Sequence, residues 1–216
     1  MPLGAFPEGT AKRKKREKSM LKRLFDLVFT IPGIIILSPV LLVLAIWVHF
    51  DSNGPIFFRQ ERVGRYGVPF RIFKFRTMVV DAEKQGKQIT VGTDKRVTRS
   101  GEVLRHYKLD ELPQLFNVIL GDMSLVGPRP EVPRYIAEYT EEERQEVLSV
   151  RPGITDNASI EFRSENEILG RADDPEYAYI HEVLPIKIKY YREYVQNHSV
   201  WGDFIIILKT FKAIVE

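Results

Sequence analysis

The sequence predicts an α+β chain, mainly helical, attached to a membrane through its N-terminal part. Three observations carry that reading. Residues 27–50, LVFTIPGIIILSPVLLVLAIWVHF, contain no acid, lysine or arginine. Residues 55–78 form two strand-like runs on either side of Gly64-Arg65-Tyr66-Gly67. Residues 105–131, RHYKLDELPQLFNVILGDMSLVGPRPE, set two adjacent acids ahead of a run with helical period.

At 216 residues and 44% hydrophobic content, the chain can form one domain with a real core. The absence of cysteine excludes disulfides and thiolate metal sites and suits a reducing compartment. A net charge of +3 is too small to imply nucleic acid as a partner. The basic run KRKKREK at 12–18 has no interleaved aromatic residue, and a long apolar stretch follows it, so a membrane surface suits it better. Residues 1–11 read as a loose tail outside the fold.

Taken as one straight helix, residues 27–50 would reach roughly 36 Å, enough to cross a hydrocarbon core of about 30 Å. Ser38–Pro39 divides the stretch into equal halves. Pro39 removes a backbone donor near Ile35, and the Ser38 hydroxyl can serve the carbonyl left behind. Lys22 and Arg23 precede the stretch while Arg59, Arg62 and Arg65 follow it, which favours both ends on one side. On these grounds a spanning helix and a re-entrant helix stand level.

In the hairpin, strand alternation puts Lys74 and Arg76 on one face, either beside a phosphate site or along a solvated edge. Residues 81–101 are polar and carry Gly86, Gly92 and Gly101, the pattern of a mobile loop over a site. Leu112, Leu115, Phe116 and Ile119 make one apolar helix face, with Pro113 in the first turn and Gly121 as a left-handed cap. Asp110 and Glu111 then lie at or beside a helix N-terminus, where free N–H groups also hold phosphate. Such a pair offers a nucleophile, a magnesium ligand, or simply a cap. Arg105 and Arg129 are the nearby cations, and flanking prolines stiffen the backbone at Arg129.

Thr140-Glu141-Glu142-Glu143 is a capping box that opens a helix to about Ser149. Arg151-Pro152-Gly153-Ile154-Thr155 turns the chain, and Arg151 there is a phosphate or nucleotide contact or a plain surface arginine. Asp174–Pro175 starts a helix that Pro185 bends or restarts. WGDFIIILKTFKAIV at 201–215 is an interfacial amphipathic helix or a core helix. The four histidines show no ligand spacing.

LDELPQLFNVILGDMSLVGPRPE, with KFRTM at 74–78 and RPGIT at 151–155, resembles the bacterial sugar transferase family, the monotopic polyprenyl-phosphate phosphoglycosyl transferases. The resemblance runs from about Lys22 to the C-terminus. It implies a re-entrant helix broken at Ser38–Pro39, and hence a basic tail at 1–21, a membrane helix at 22–50 and a catalytic domain at 51–216 on the cytoplasmic face of the bacterial inner membrane. It further implies transfer of a phospho-sugar from a nucleotide diphosphate sugar, with UDP the expected nucleotide, to a polyprenyl phosphate such as undecaprenyl phosphate. By family position Asp110 is the nucleophile, Glu111 holds Mg2+, Arg105 holds the lipid phosphate and Arg129 stabilises phosphate oxygens. Phospholipids are the expected surroundings, and a homodimer is left open. After RPGIT, relatives continue with Gly and a Gln-Val…Gly-Arg pattern, whereas this chain has Asp156-Asn157-Ala158-Ser159-Ile160-Glu161-Phe162-Arg163, so the sugar is not fixed. A membrane-anchored phosphohydrolase using the same Asp with water, and a non-catalytic lipid-binding adaptor, are the competing readings.

Overall fold

A computed structural model describes residues 11–82 and 94–215, without side chains for 11–19, 166–167 and 214–215. The central part of the expected loop, 83–93, lies outside the described residues.

Helix α1 (Ala11–Asp51) is a single 41-residue helix. It starts within what was expected as a tail, so the basic run forms its first turns. It also continues through Ser38–Pro39, where a break was expected. The reason is local compensation. Pro39 has no N–H for the Ile35 carbonyl, and Ser38 Oγ donates to that carbonyl at 2.8 Å. No residue has to leave the helical conformation.

Strands β1 (Phe57–Val63) and β2 (Pro69–Phe75) form the expected antiparallel hairpin, in register from Phe57 opposite Phe75 to Val63 opposite Pro69. Its turn is made by Tyr66 and Gly67 at φ 61° and 77°. Phe75 then packs with Leu41, Leu44 and Val48 of α1 and with Leu104 of α2 (Arg99–His106). This cluster fixes the C-terminal half of α1 against the hairpin.

Helix α3 (Gln114–Leu120) ends as expected at Gly121, φ 92°, whose N–H donates to Asn117 and Val118 carbonyls. Its inward face is not the expected one. Gln114, Asn117 and Val118 are buried, while Ile119 is exposed and Leu120 is 66% exposed. The cause is the open edge of β2. Asn117 Oδ1 accepts from the Phe73 N–H at 2.8 Å, and Asn117 Nδ2 donates to the Arg71 carbonyl at 3.0 Å. An amide facing a strand edge overrides apolar periodicity.

The next strand, β3 (Ser124–Val126), precedes two helices, α4 (Pro133–Ile136) and α5 (Glu141–Val147). Thr140 and Glu143 close the capping box at the start of α5. RPGIT does more than turn the chain: β4 (Gly153–Thr155) pairs in parallel with β3. A Cβ on Gly153 would lie 2.1 Å from Gly127 N, and one on Gly127 would lie 2.6 Å from Arg151 O. Only paired glycines allow that approach. Helices α6 (Asn157–Glu161), α7 (Glu165–Gly170) and α8 (Pro175–Ala178) follow, with Asp174 capping α8 as expected. A π-turn at Tyr179–Val183 leads into α9 (Leu184–Asn197), which Pro185 restarts in its first turn. The main core gathers Val132, Tyr135, Ile136, Tyr179, Leu184 and Tyr191 among others. Helix α10 (Val200–Val215) is two-sided: Asp203 and Ile206 are buried, whereas Trp201, Leu208 and Phe211 are exposed.

Candidate active site

Between α2 and α3, Lys108 takes a left-handed conformation (φ 56°), and Leu109–Glu111 form one tight turn. Pro113 is the residue capping α3, one position earlier than its expected place in the first turn. The acid pair therefore sits in a turn of its own ahead of the helix.

Two cations from distant parts of the chain converge on Glu111. Lys74 Nζ, from β2, meets Glu111 Oε1 at 2.7 Å. Arg129 Nη1, from the Pro-Arg-Pro turn after β3, meets Glu111 Oε2 at 3.1 Å, and Arg129 Nη2 donates to Oε1. The paired glycines set that turn, since Arg129 follows Gly127 by two residues. Burial alone would raise the Glu111 carboxyl, but Arg129 and Lys74 outweigh it and hold the group well below the ordinary range. Asp110, 8% exposed, goes the other way. Burial raises it and the Glu111 charge adds to that, while Lys74 and Arg105 counter only in part. Two neighbouring carboxylates are thus made unlike by what faces them.

Arg105 donates from Nε to Thr77 Oγ1 at 3.1 Å, and its charge acts on Asp110. Thr77 belongs to the KFRTM run, so that motif supplies both Lys74 and the anchor of Arg105. The geometry brings together Asp110, Glu111, Lys74, Arg105 and Arg129.

Arg76 and Arg151 are engaged elsewhere. Arg76 lies one residue past the end of β2, so strand alternation no longer governs it. Its guanidinium caps the end of α1, donating to the Ser52 and Asn53 carbonyls at 2.6 and 2.7 Å. Arg151 Nε donates to the Gly121 carbonyl at 2.8 Å, at the opposite end of α3 from the acid pair.

The periodicity of the sequence did not reveal the support beneath Arg129. Arg62 Nη1 donates to the Pro130 carbonyl at 3.0 Å, Tyr179 Oη to Glu131 Oε1 at 2.7 Å, and the Val63 N–H to the Glu131 carbonyl at 3.0 Å. Gln114, four residues after Asp110, is 1% exposed, and its amide has no hydrogen-bond partner. Left unpaired among the described residues, such a group costs about 1–3 kcal/mol.

Among the described residues no cluster of three or more acids and histidines forms a ready-made metal cage. Magnesium does not require one. It takes one or two carboxylates and completes its shell with water and phosphate oxygens. Asp110 and Glu111 are hard oxygen donors side by side, and the donor chemistry fits.

A family description, bacterial sugar transferase, matches residues 17–216. The chain is 37% identical over 199 residues to the UDP-N-acetylgalactosamine-undecaprenyl-phosphate N-acetylgalactosaminephosphotransferase of Aeromonas hydrophila, covering 91% of this chain and 44% of that one. It is 38% identical over 201 residues to the UDP-glucose:undecaprenyl-phosphate glucose-1-phosphate transferase of Escherichia coli, covering 91% and 40%. It is also 35% identical over 208 residues to the transferase of that name from Caulobacter vibrioides, covering 90% and 69%. The chain thus spans less than half the length of the first two relatives. With the match running through every segment that contributes to the acid pair and its cations, the chain belongs to the bacterial sugar transferase family.

Proposed function

We propose that the protein is a phosphoglycosyl transferase that moves a phospho-sugar from a nucleotide diphosphate sugar, with UDP the favoured nucleotide, to undecaprenyl phosphate. The observation that carries this is the division of the acid pair: Glu111 is locked between Lys74 and Arg129, while Asp110 is bound by no such clamp. Asp110 attacks the sugar-bearing phosphorus. An oxygen–phosphorus bond forms to its carboxylate, the bond to the nucleoside monophosphate breaks, and UMP leaves with the electron pair. A phosphate oxygen of the lipid then bonds to the same phosphorus, the bond to Asp110 breaks, and the carboxylate is restored.

Arg129 and Lys74 are placed to transfer from Glu111 to the incoming diphosphate, and Arg105 to hold the lipid phosphate beside Asp110. Mg2+ held by Glu111 would supply charge neutralisation on the diphosphate and leaving group. The chemistry suits an early membrane step in making a surface polysaccharide or glycoconjugate.

The same reading includes a re-entrant attachment to the cytoplasmic face of the inner membrane. Its support is that both ends of the apolar stretch bind one body. At the N-terminal end Lys22 pairs with Asp203 at 3.0 Å, and Asp26 accepts from Ser124 Oγ at 3.0 Å. At the C-terminal end Asp51 accepts from Ser100 Oγ at 2.8 Å, and Arg76 holds the carbonyls after α1. Between them Ile31, Ile35, Ile36, Val40, Leu42 and Val43 are exposed. Two ends held by one body cannot lie on opposite sides of a bilayer. An anchor of this kind sets Asp110 at the plane where a cytosolic donor and a lipid acceptor meet.

A screen of nucleotide sugars for UMP release tests the reaction. Sustained release that requires polyprenyl phosphate is the expected result. Sustained release without lipid would identify a phosphohydrolase, and no release with any donor would leave an adaptor.

A further inference from the structure

We infer that a second phosphate-binding pocket, formed by Arg65, Arg151 and Lys22, lies at the opposite end of α3 from Asp110. It is a cavity of about 70 Å³ whose lining includes Lys22, Asp26, Arg65, Arg151, Tyr194 and His198. At about 10–15 Å³ of such volume per water, the cavity holds several waters, the space that a phosphate group needs. The seven residues of α3 set it about 10 Å of helix away from the acid pair. It does not depend on the reaction proposed above.

The two arginines are aimed by their Nε atoms. Arg65 Nε donates to the Ser149 carbonyl at 2.9 Å, and Arg151 Nε to the Gly121 carbonyl at 2.8 Å. Arg65 also stacks over Tyr66, its Cζ 4.4 Å from the ring centre. No carboxylate pairs with either guanidinium among the described residues, and the two repel each other. The nearby acids hold other donors. Asp26 Oδ1 takes Lys22 Nζ at 2.8 Å, Ser124 Oγ at 3.0 Å and the Leu125 N–H at 3.2 Å. Asp203 takes Lys22 at 3.0 Å and Tyr194 Oη at 2.9 Å. Arg23 adds a further cation, donating to the Ile119 carbonyl at 2.9 Å and facing Arg151. Three cations, Lys22, Arg65 and Arg151, thus line an open cavity with one carboxylate, Asp26, an excess that a phosphate would neutralise through charge-assisted bonds.

Capping of α3 accounts for Arg23 and for one nitrogen of Arg151. It does not account for Arg65, which bonds to a different segment yet faces Arg151, nor for the cavity between them.

The position says where such a phosphate comes from. Lys22 lies five residues before the apolar stretch. Trp201, three residues past His198, is 70% exposed and stacks on Phe204 at 5.7 Å, and Phe204 meets Phe29 of α1 at 6.3 Å. An exposed indole beside a membrane helix marks headgroup level, and basic pockets at that level hold anionic headgroups. The ligand is a phosphate group, carried by an anionic phospholipid or free in solution.

The test uses the full chain in a non-ionic detergent, with binding read from tryptophan fluorescence and from the shift in melting temperature. The probes are dihexanoyl-phosphatidylglycerol, dihexanoyl-phosphatidylcholine and inorganic phosphate. The variants are Arg65→Gln, Arg65→Lys and Arg129→Lys. Phosphatidylglycerol should bind saturably and phosphatidylcholine should not. Arg65→Gln should weaken binding at least tenfold. Arg65→Lys, which keeps the charge and spares the fold, should weaken it severalfold through loss of the planar fork. Arg129→Lys should leave it unchanged. Inorganic phosphate bound with the same dependence on Arg65 would assign the pocket to free phosphate, and phosphatidylglycerol alone to headgroups. Absence of saturable binding by either, binding by both Arg65 variants equal to the parent, or loss in Arg129→Lys instead would overturn the proposal.

Discussion

Asp110 and Glu111 are neighbours whose carboxyls are pushed in opposite directions, and the consequences are measurable. A nucleophilic carboxylate must be ionised. Because burial raises Asp110, the acid limb of kcat/KM should lie above the ordinary carboxylate range. Stability follows the same sign. An acid whose pKa is higher folded than unfolded binds more protons when folded. Stability therefore falls as pH rises from the unfolded value, near 3.8, through the raised folded one. Asp110→Asn should accordingly abolish turnover while melting no lower than the parent at pH 7. Loss of activity accompanied by unfolding would place Asp110 in the scaffold. At Arg129, exchange for lysine keeps the charge and loses the planar fork, now two-pronged on Glu111, that the mechanism uses on phosphate oxygens. That costs about 1.5–3 kcal/mol, a fall of roughly ten- to a hundred-fold in kcat/KM. Activity within twofold of the parent would reduce Arg129 to a turn residue. At this scale the sequence showed the acid pair and the Pro-Arg-Pro turn. It could not show that Arg76 turns away, because a strand end is set by pairing partners rather than by composition.

The elements that matter most here are the shortest. β3 and β4 pair over three residues each, and their contact rests on Gly127 and Gly153. Gly153→Ala would put a Cβ 2.1 Å from Gly127 N, forcing the strands apart and shifting Arg129 two residues beyond. A loss of activity well beyond the loss of thermal stability is the expected result. Parent-like activity would show that Arg129 is positioned without this pair. The capping box of α5, the hairpin, the Gly121 cap and the restart at Pro185 were all legible, because each is local chemistry. The strand pair was not, since runs of three residues carry no periodicity. The inward face of α3 was misread for a physical reason. Asn117 was needed by the edge of β2, so Ile119 of the expected face is exposed while Leu112, Leu115 and Phe116 are only partly buried.

Over the whole molecule, both ends of the apolar stretch of α1 meet one body, and Ile31, Ile35, Ile36, Leu42 and Val43 between them are exposed. The sequence supplied the basic flanks and the Ser-Pro step, but not the contacts of Lys22 with Asp203 and of Asp51 with Ser100, which lie far apart in the chain. Cysteines at Thr10 and Ser199 should both react with an impermeant reagent from the cytoplasmic side only, and reaction from opposite sides would establish a spanning helix. The central claim is that this anchored body uses Asp110 as a covalent nucleophile. The most direct measurement is intact mass after brief incubation with UDP-sugar, magnesium and no lipid acceptor, using a donor that supports lipid-dependent UMP release. The parent should gain the mass of one phospho-sugar, and Asp110→Asn should gain nothing. An adduct on Asp110→Asn, or full turnover by that variant, would contradict the account.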